Sequence, residues 1–205
     1  MFRNYFITAY RTFIRNKTFS FINILSLTLG LVGFMFILLY IYDELSFDKH
    51  NDDFNRIFRI GNSVNHQGVG EVSSSVPFPI APYLEKEYPE MIDEVVRFFN
   101  FQIPKFFIQY DSIKAFENRV FFADSNGFEI FKVEFIKGNP DSALANPFTM
   151  VITESMAKKY FGSADPIGQY ILLDDAIKFR ITNVVKDPPL QSHFHWDFLS
   201  SMSTV

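Results

Sequence analysis

The 205-residue sequence contains no cysteine, which excludes disulfide bridges and metal sites built from thiolates. The absence also suits an oxidising compartment, where a free thiol is a liability. Residues 43–205 contain no low-complexity run, no long Gly/Ser linker and no internal repeat. These absences favour a single globular domain after residue 42, built of one lobe or of two.

The motifs of common nucleotide-binding and hydrolytic sites are also missing. There is no Walker A loop, no HExxH and no GxSxG, and Gly68 with Gly70 makes only a GxG fragment without a helix pattern behind it. We therefore predict no cofactor and no enzymatic activity in this chain. If the protein uses the energy of a nucleotide, that nucleotide is bound by a partner.

The sequence does contain a long apolar stretch from Thr18 to Tyr42. Its 25 residues carry no formal charge, and as a helix they reach about 37 Å, enough to cross a hydrocarbon core of roughly 30 Å. A cleaved signal peptide is the alternative, but its apolar region is usually about 7–15 residues long and ends in a small-x-small site, which is missing here. We predict a retained transmembrane helix over residues 18–42.

The charges that flank this helix predict its orientation. Four basic residues precede it and three acidic residues follow it closely: Arg3, Arg11, Arg15 and Lys17 before, and Asp43, Glu44 and Asp48 after. By the positive-inside rule, residues 1–17 are cytoplasmic and residues 43–205 lie outside the cytoplasm, which predicts an inner-membrane protein. Beyond residue 17 there are 15 basic and 23 acidic residues, and this acidic balance argues against a nucleic-acid partner.

Residues 1–17 have the pattern of an amphipathic helix at the membrane surface. At about 100° per residue, one side carries aromatic residues and the other carries arginines: Phe2, Phe6, Tyr10 and Phe13 on the first side, and Arg3, Arg11 and Arg15 on the second. Such a helix suits anionic lipid headgroups, and it also suits a cytoplasmic partner. The alternative is a plain basic flank that only determines topology.

Within the apolar stretch, Asn23, Ser26, Gly30 and Gly33 are spaced by three, four and three residues and so share one side of the helix. Small residues let helix backbones approach closely, and Asn23 is costly in hydrocarbon unless it is hydrogen-bonded. We predict that this side packs against other transmembrane helices. The alternative is a lone anchor with scattered small residues.

The outer residues alternate between strand and helix patterns, which predicts an α+β domain of short strands and helices. Predicted strands cover 56–61, 94–102, 178–186 and short runs within 106–123, and a further strand begins at 196–199. Helices are predicted over 79–88 and 125–131, with a turn at 137–140. A helix capped by Thr153 is predicted to carry Glu154 in its first turn, with Lys158 and Lys159 near its end, and to stop at Gly162.

Two patterns in the outer residues resemble parts of a catalytic site and of a metal site. Ser155 and Lys158 form an SxxK tetrapeptide, as in penicillin-recognising enzymes, but the companion SDN and KTG motifs are missing. We therefore favour a capped helix in which Lys158 pairs with Glu154. His193 and His195 would share one face of a strand and could grip a metal, but no third ligand is nearby in sequence, which favours ordinary solvated or partly buried histidines.

The acidic residues that follow the apolar stretch lack the glycine and the alternate spacing of a calcium loop, which favours a solvated face. They are Asp43, Glu44, Asp48, Asp52 and Asp53.

Several segments, in this order and spacing, resemble the start of an FtsX-like, MacB-type permease subunit of an ABC transporter. They are AYRTFIRNK at 9–17, FINILSLTLGL at 21–31, FNRIFRI at 54–60, FEIFKVEFIKGNP at 128–140, ITESMAKKYFGSADPIG at 152–168, VVKDPP at 184–189 and SHFHWDFL at 192–199. The resemblance covers nearly the whole chain.

This resemblance implies residues 1–17 as a cytoplasmic amphipathic helix, 18–42 as the first transmembrane helix, and 43–205 as an extracytoplasmic MacB-like core domain that is incomplete at its C-terminal end. It implies as partners a cytoplasmic ABC ATPase, later transmembrane helices of the same permease and a second permease copy; a periplasmic adaptor is a further candidate. No catalytic, cofactor or metal residue follows from it. The alternative function is a single-pass, membrane-anchored sensor or binding module.

Overall fold

The computed structural model describes residues 2–66, 69–101, 103 and 105–205, without the side chains of Phe2, Phe6 and residues 64–71. Gly68 of the GxG fragment and Gln102 of a predicted strand therefore lie outside the described residues. The chain divides into two compact units, Met1–Phe47 and Asp48–Val205.

The first unit consists of two helices joined at Asn16. Helix α1 covers Phe2–Arg15 and helix α2 covers Lys17–Glu44. The hydroxyl of Ser20 donates a hydrogen bond to the carbonyl of Phe13 (3.1 Å), which buries Ser20 at the corner between them. Helix α2 is long and apolar enough to cross a membrane, and it contains the whole predicted span.

The second unit is built on a twisted arrangement of short strands. These are β1 (Asn62–His66), β2 (Val69–Ser73), β3 (Phe98–Phe99), β4 (Phe106–Tyr110), β5 (Ile113–Glu117), β6 (Val120–Ala123), β7 (Phe135–Lys137), β8 (Thr149–Thr153), β9 (Tyr170–Leu173), β10 (Ile177–Val185) and β11 (Phe198–Ser201). In the described residues β1 and β2 form a separate hairpin, and the other strands form one sheet of order β3-β6-β11-β8-β10-β9-β4-β5, with β7 paired to the end of β10. The helices are α3 (Ile80–Glu87), α4 (Gly127–Ile130) and α5 (Glu154–Phe161). Single 3₁₀ turns cover Phe54–Arg56, Pro140–Ser142 and Met202–Thr204.

The centre of the sheet is the parallel pair β8 and β10, and the chain runs from one to the other through α5 and β9. The side chain of Thr153 accepts a hydrogen bond from the N–H of Met156, and Gly162 ends the helix with φ +61°, as the sequence predicts. The β10 strand is long enough to pair with β9 through its first half and with β7 through its last residues. The β10 strand is therefore hydrogen-bonded to β8, β9 and β7.

Apolar residues alternate between the two faces of the sheet, as strand geometry requires. On β8, Met150 and Ile152 belong to one buried cluster and Val151 belongs to the other. On β11, Phe198 and Leu199 divide in the same way. Because all of these side chains are at most 2% exposed, β8 and β11 are covered on both sides.

The predicted α+β class is confirmed, and so are the helices at 79–88 and 125–131, the strands within 106–123 and the strand at 178–186. The prediction of a strand over 56–61 is wrong. Residues Phe54–Arg56 form a 3₁₀ turn, and the chain after them runs without a strand partner among the described residues, with Phe58 80% exposed. A strand pattern without a partner cannot form a ladder.

The strand predicted over 94–102 is reduced to Phe98–Phe99. Before it, the N–H of Arg97 donates to the side chain of Asp124 (2.9 Å) instead of to a strand. After it, Phe101 takes φ +54°, which breaks the extended backbone.

Candidate functional site

The candidate functional residues lie on helices α1 and α2 and in the first residues of the second unit. In the part of the chain that the structure describes, no group of three or more His, Cys, Asp or Glu side chains could hold a metal ion. Two surface depressions of about 250 and 200 Å³ share Ser125 and Ala145. Both are smaller than the usual small-molecule site of about 300–1,000 Å³.

Helix α1 covers Phe2–Arg15 of the predicted amphipathic stretch 1–17. Its described aromatic side chains are largely exposed, with Tyr10 at 63% and Phe13 at 47%. Arg3, Arg11 and Arg15 are exposed as well. Arg15 lies in the last turn, where a positive charge interacts favourably with the helix dipole. The described side chains of the helix thus expose both aromatic and basic groups.

The four residues of the predicted packing face, Asn23, Ser26, Gly30 and Gly33, are all exposed on α2. A Cβ atom added at Gly30 or at Gly33 would meet nothing within 4 Å. Their side of the helix is therefore free within this single chain. The four residues lie on one exposed side of α2.

The connector, defined here as residues 48–56, is the first part of the second unit, and Asp48 attaches it to the loop before β11. The N–H of Asp48 donates to the carbonyl of Gln191 (2.8 Å). Its carboxylate accepts a hydrogen bond from the N–H of His193 (3.0 Å) and lies 2.7 Å from Nδ1 of the same histidine. Asp48 takes φ +58°, a conformation that aspartate tolerates better than most residues.

Burial raises the pKa of the Asp48 carboxyl, but hydrogen bonds from His193 and the charges of His193 and His50 outweigh burial and hold this pKa below its ordinary value. The carboxyl is therefore anionic near neutral pH, as its pairing with His193 requires. The prediction of a purely solvated acidic face is wrong for Asp48. Asp52 and Asp53 are largely exposed, as predicted, although both also form ion pairs.

A second attachment of the connector is made by Asn51, which is only 2% exposed although it is polar. Its Oδ1 accepts a hydrogen bond from the N–H of Lys132 (2.9 Å), and its Nδ2 donates to the carbonyl of Asp48 (3.3 Å). The ammonium of Lys132 also pairs with Asp52 (2.9 Å). The connector is thus bound both to the loop before β11 and to the residues before β7.

The prediction that His193 and His195 share a strand face is wrong, because the chain is irregular until β11 begins at Phe198. The loop does not form a strand because its backbone hydrogen-bonds to Asp48 instead of to a neighbouring strand. His193 serves to bind the connector.

Ser155 of the SxxK tetrapeptide is held at the start of α5. Its hydroxyl donates to Asp187 Oδ2 (2.5 Å) and its N–H donates to Asp187 Oδ1 (3.2 Å). A carboxylate that receives both groups stabilises the first turn of the helix and joins it to the residues after β10. The ion pairs of the described residues do not include the predicted pair of Glu154 with Lys158.

The structure contains a buried polar cluster at Glu117 that no sequence pattern predicted. Its carboxylate, on a residue 7% exposed, accepts hydrogen bonds from the hydroxyl of Tyr160 and from the ammonium of Lys159, both 2.6 Å long. Burial, with the adjacent carboxylate, raises the pKa of Tyr160 far above its ordinary value. The partners lie 42 and 43 residues apart in sequence, so only the fold could reveal them.

The chain matches the family described as MacB-like periplasmic core domain over residues 20–203. It is similar to a solved domain from Porphyromonas gingivalis described as part of a permease protein, with 26% identity, a TM-score of 0.51 and coverage of 62% of this chain and 57% of that one. It is also similar in fold to the periplasmic region of MacB from Actinobacillus actinomycetemcomitans, with 18% identity, a TM-score of 0.50 and coverage of 64% and 57%. The chain thus spans 57% of the length of each of these solved domains. No curated protein sequence matches it.

Proposed function

Because the chain belongs to the family of MacB-like periplasmic core domains, we propose that it is a permease subunit of an ABC transporter, or the first part of one. In this function it passes conformational change from a cytoplasmic ATPase to its outer domain. One observation carries the proposal: the family match begins at residue 20 within α2 and continues through the outer domain, so an apolar helix and the periplasmic fold are joined in one chain.

The proposed topology follows from charge. The basic residues before α2 keep residues 1–17 in the cytoplasm, residues 18–42 cross the inner membrane, and residues 43–205 form the extracytoplasmic domain. Helix α1 lies on the cytoplasmic leaflet, with its aromatic side in the interface and Arg3, Arg11 and Arg15 toward lipid phosphates. A cytoplasmic partner is the other candidate for that basic side.

The face of Asn23, Ser26, Gly30 and Gly33 packs against later helices of the permease or against a second copy. Its exposure in the single chain supports this assignment, because an unpaired asparagine is costly in hydrocarbon. ATP is hydrolysed by a separate ATPase subunit, since this sequence carries no Walker A loop. A periplasmic adaptor is a further candidate partner of the outer domain.

The absence of cysteine makes a clean topology experiment possible. Single cysteines at Asn4 and at Lys178, both exposed, are treated with a membrane-impermeant maleimide in intact spheroplasts. We expect labelling at residue 178 and not at residue 4 until the membrane is lysed. Labelling of residue 4 in intact spheroplasts would refute the orientation.

The ATPase partner is tested by purifying the chain in mild detergent after expression from its native locus with the neighbouring genes. We expect vanadate-sensitive ATP hydrolysis to co-purify, and Gly30→Leu with Gly33→Leu to reduce it at least fivefold at unchanged membrane insertion. Thr28→Leu with Val32→Leu is the matched control, because these residues lie about 140–180° around the helix from the packing face. An inserted chain without any co-purifying ATPase would instead favour a single-pass sensor or binding module.

A further inference from the structure

We infer that Asp48 and Asn51 are positioning residues that make the connector the place where movement of α2 is delivered to the outer sheet. This inference rests on the proposed permease function, which supplies the movement. The observation behind it is that the chain, directly after the apolar helix, is bound on two sides at one end of the sheet.

Both attachments reach backbone atoms, and Asp48 pairs with the ring of His193 as well. Asp48 accepts from the N–H of His193 and donates its own N–H to the carbonyl of Gln191. Asn51 accepts from the N–H of Lys132. Because these donors and acceptors belong to the main chain of two loops, a displacement of the connector must move those main chains or break the hydrogen bonds.

The two attached loops lead into strands at the same end of the sheet. Residue 132 precedes β7, which pairs with the end of β10, and His193 precedes β11, whose first residue pairs with Ile152 of β8. Since β8 and β10 are parallel, their carboxyl ends lie side by side, and α5 begins there at Glu154. The connector is thus joined to the residues that lead into β7 and β11, which pair with the carboxyl ends of the two central strands.

Burial distinguishes the Asn51 attachment from the other polar contacts of the connector, because the side chains of Asp48 and His193 stay partly exposed. Asn51 is 2% exposed, so the loss of its side chain leaves the N–H of Lys132 short of its acceptor in a half-buried place. The ion pairs of Asp52 and Asp53, by contrast, have side chains 79% and 72% exposed and contribute little in water. These exposed pairs provide a matched control within the same segment.

The first arm of the test measures hydrogen exchange of the full chain in lipid nanodiscs. Asp48→Ala with Asn51→Ala should speed exchange of the amides of Lys132 and His193 at least tenfold, while amides of β8 and β10 stay protected. Asp52→Ala with Asp53→Ala should change neither set. Unchanged exchange at residues 132 and 193 in the first variant would overturn the assignment of the attachments.

The second arm uses the complex that co-purifies with the ATPase, with a fluorescent label on a single cysteine at Lys178. We expect an ATP-dependent change of fluorescence that the Asp48→Ala, Asn51→Ala variant loses by at least half, with ATP hydrolysis retained. An undiminished change would overturn the inference. If the unmutated chain brings no ATPase, the proposed function fails instead, and the first arm still decides whether the attachments exist.

Asp48→Ala alone serves if the double variant does not fold. It leaves the Asn51 attachment in place, and we expect faster exchange at His193 and not at Lys132. If Asp48→Ala leaves the exchange rates of both amides as they are in the unmutated chain, the result would count against the inference.

Discussion

Tyr160→Phe removes one hydroxyl from the buried cluster that joins α5 to the end of β5. The hydroxyl donates to a carboxylate oxygen of Glu117 at 2.6 Å, and Tyr160 is 2% exposed. A hydrogen bond to a charged group contributes about 1.5–3 kcal/mol, and Glu117 keeps its second donor, Lys159. We therefore expect Tyr160→Phe to lower the free energy of unfolding by about 2 kcal/mol.

Two companion substitutions should bracket this value. Glu117→Ala leaves the phenol hydroxyl buried without an acceptor and should cost about 3–4 kcal/mol, since that desolvation adds to the lost hydrogen bond. Lys159→Ala should cost less than about 1 kcal/mol, because its side chain is 42% exposed and water screens the pair. The double variant of residues 117 and 160 should cost less than the sum of the single variants.

The assay is urea unfolding of the full chain in detergent, followed by fluorescence. Trp196 is the single tryptophan and is 5% exposed in the outer domain, so its signal reports on that domain. The raised pKa of Tyr160 adds a second signature: its stabilising effect is present below the ordinary pKa of 10.0 and is lost as the pH rises above it. A cost below about 0.5 kcal/mol for Tyr160→Phe, or strict additivity with Glu117→Ala, would refute the reasoning.

Three further predictions use the same assay. Gly138→Ala should lower the free energy of unfolding by about 3 kcal/mol or more, because φ is +92° and the new Cβ would lie 2.4 Å from a backbone oxygen. Gly162→Ala, at φ +61° with open space around it, should lower it by only about 1 kcal/mol. Equal losses for the two variants would contradict the argument from steric overlap. Asp197→Asn should stabilise the domain at pH 7, because burial raises the pKa of this carboxyl and the folded chain therefore loses stability as pH rises above 3.8; a destabilised variant would contradict this sign. Ser155→Ala should lower the free energy of unfolding by about 1 kcal/mol through the lost hydrogen bond to Asp187, and an acylating probe should label neither form, whereas labelling of the unmutated protein would support a catalytic SxxK serine.

Features with a local physical cause could be predicted from the sequence. The apolar helix follows from its length without charge, and the helix after Thr153 follows from a cap at one end and a glycine at the other. The α+β class and the family resemblance also depend on patterns along the chain, and both are confirmed.

The failures have a common cause in partners that are distant in sequence. Residues 56–61 have a strand pattern but no neighbouring strand in the described part of the chain, and the backbone at His193 bonds to Asp48 instead of to a sheet. Whether a β-prone segment becomes a strand depends on what lies beside it, which its own residues do not specify.

Patterns along the chain were enough to predict the apolar helix, the basic flank before it, the class of the second unit and the family. The pairing of Asp48 with His193 across 145 positions, and of Asn51 with Lys132 across 81, became visible in the fold alone. Hydrophobic length and helix capping act over a few neighbouring residues, so they can be read along the chain. Hydrogen bonds between distant loops depend on strand order and register, which arise only when the whole sheet has formed.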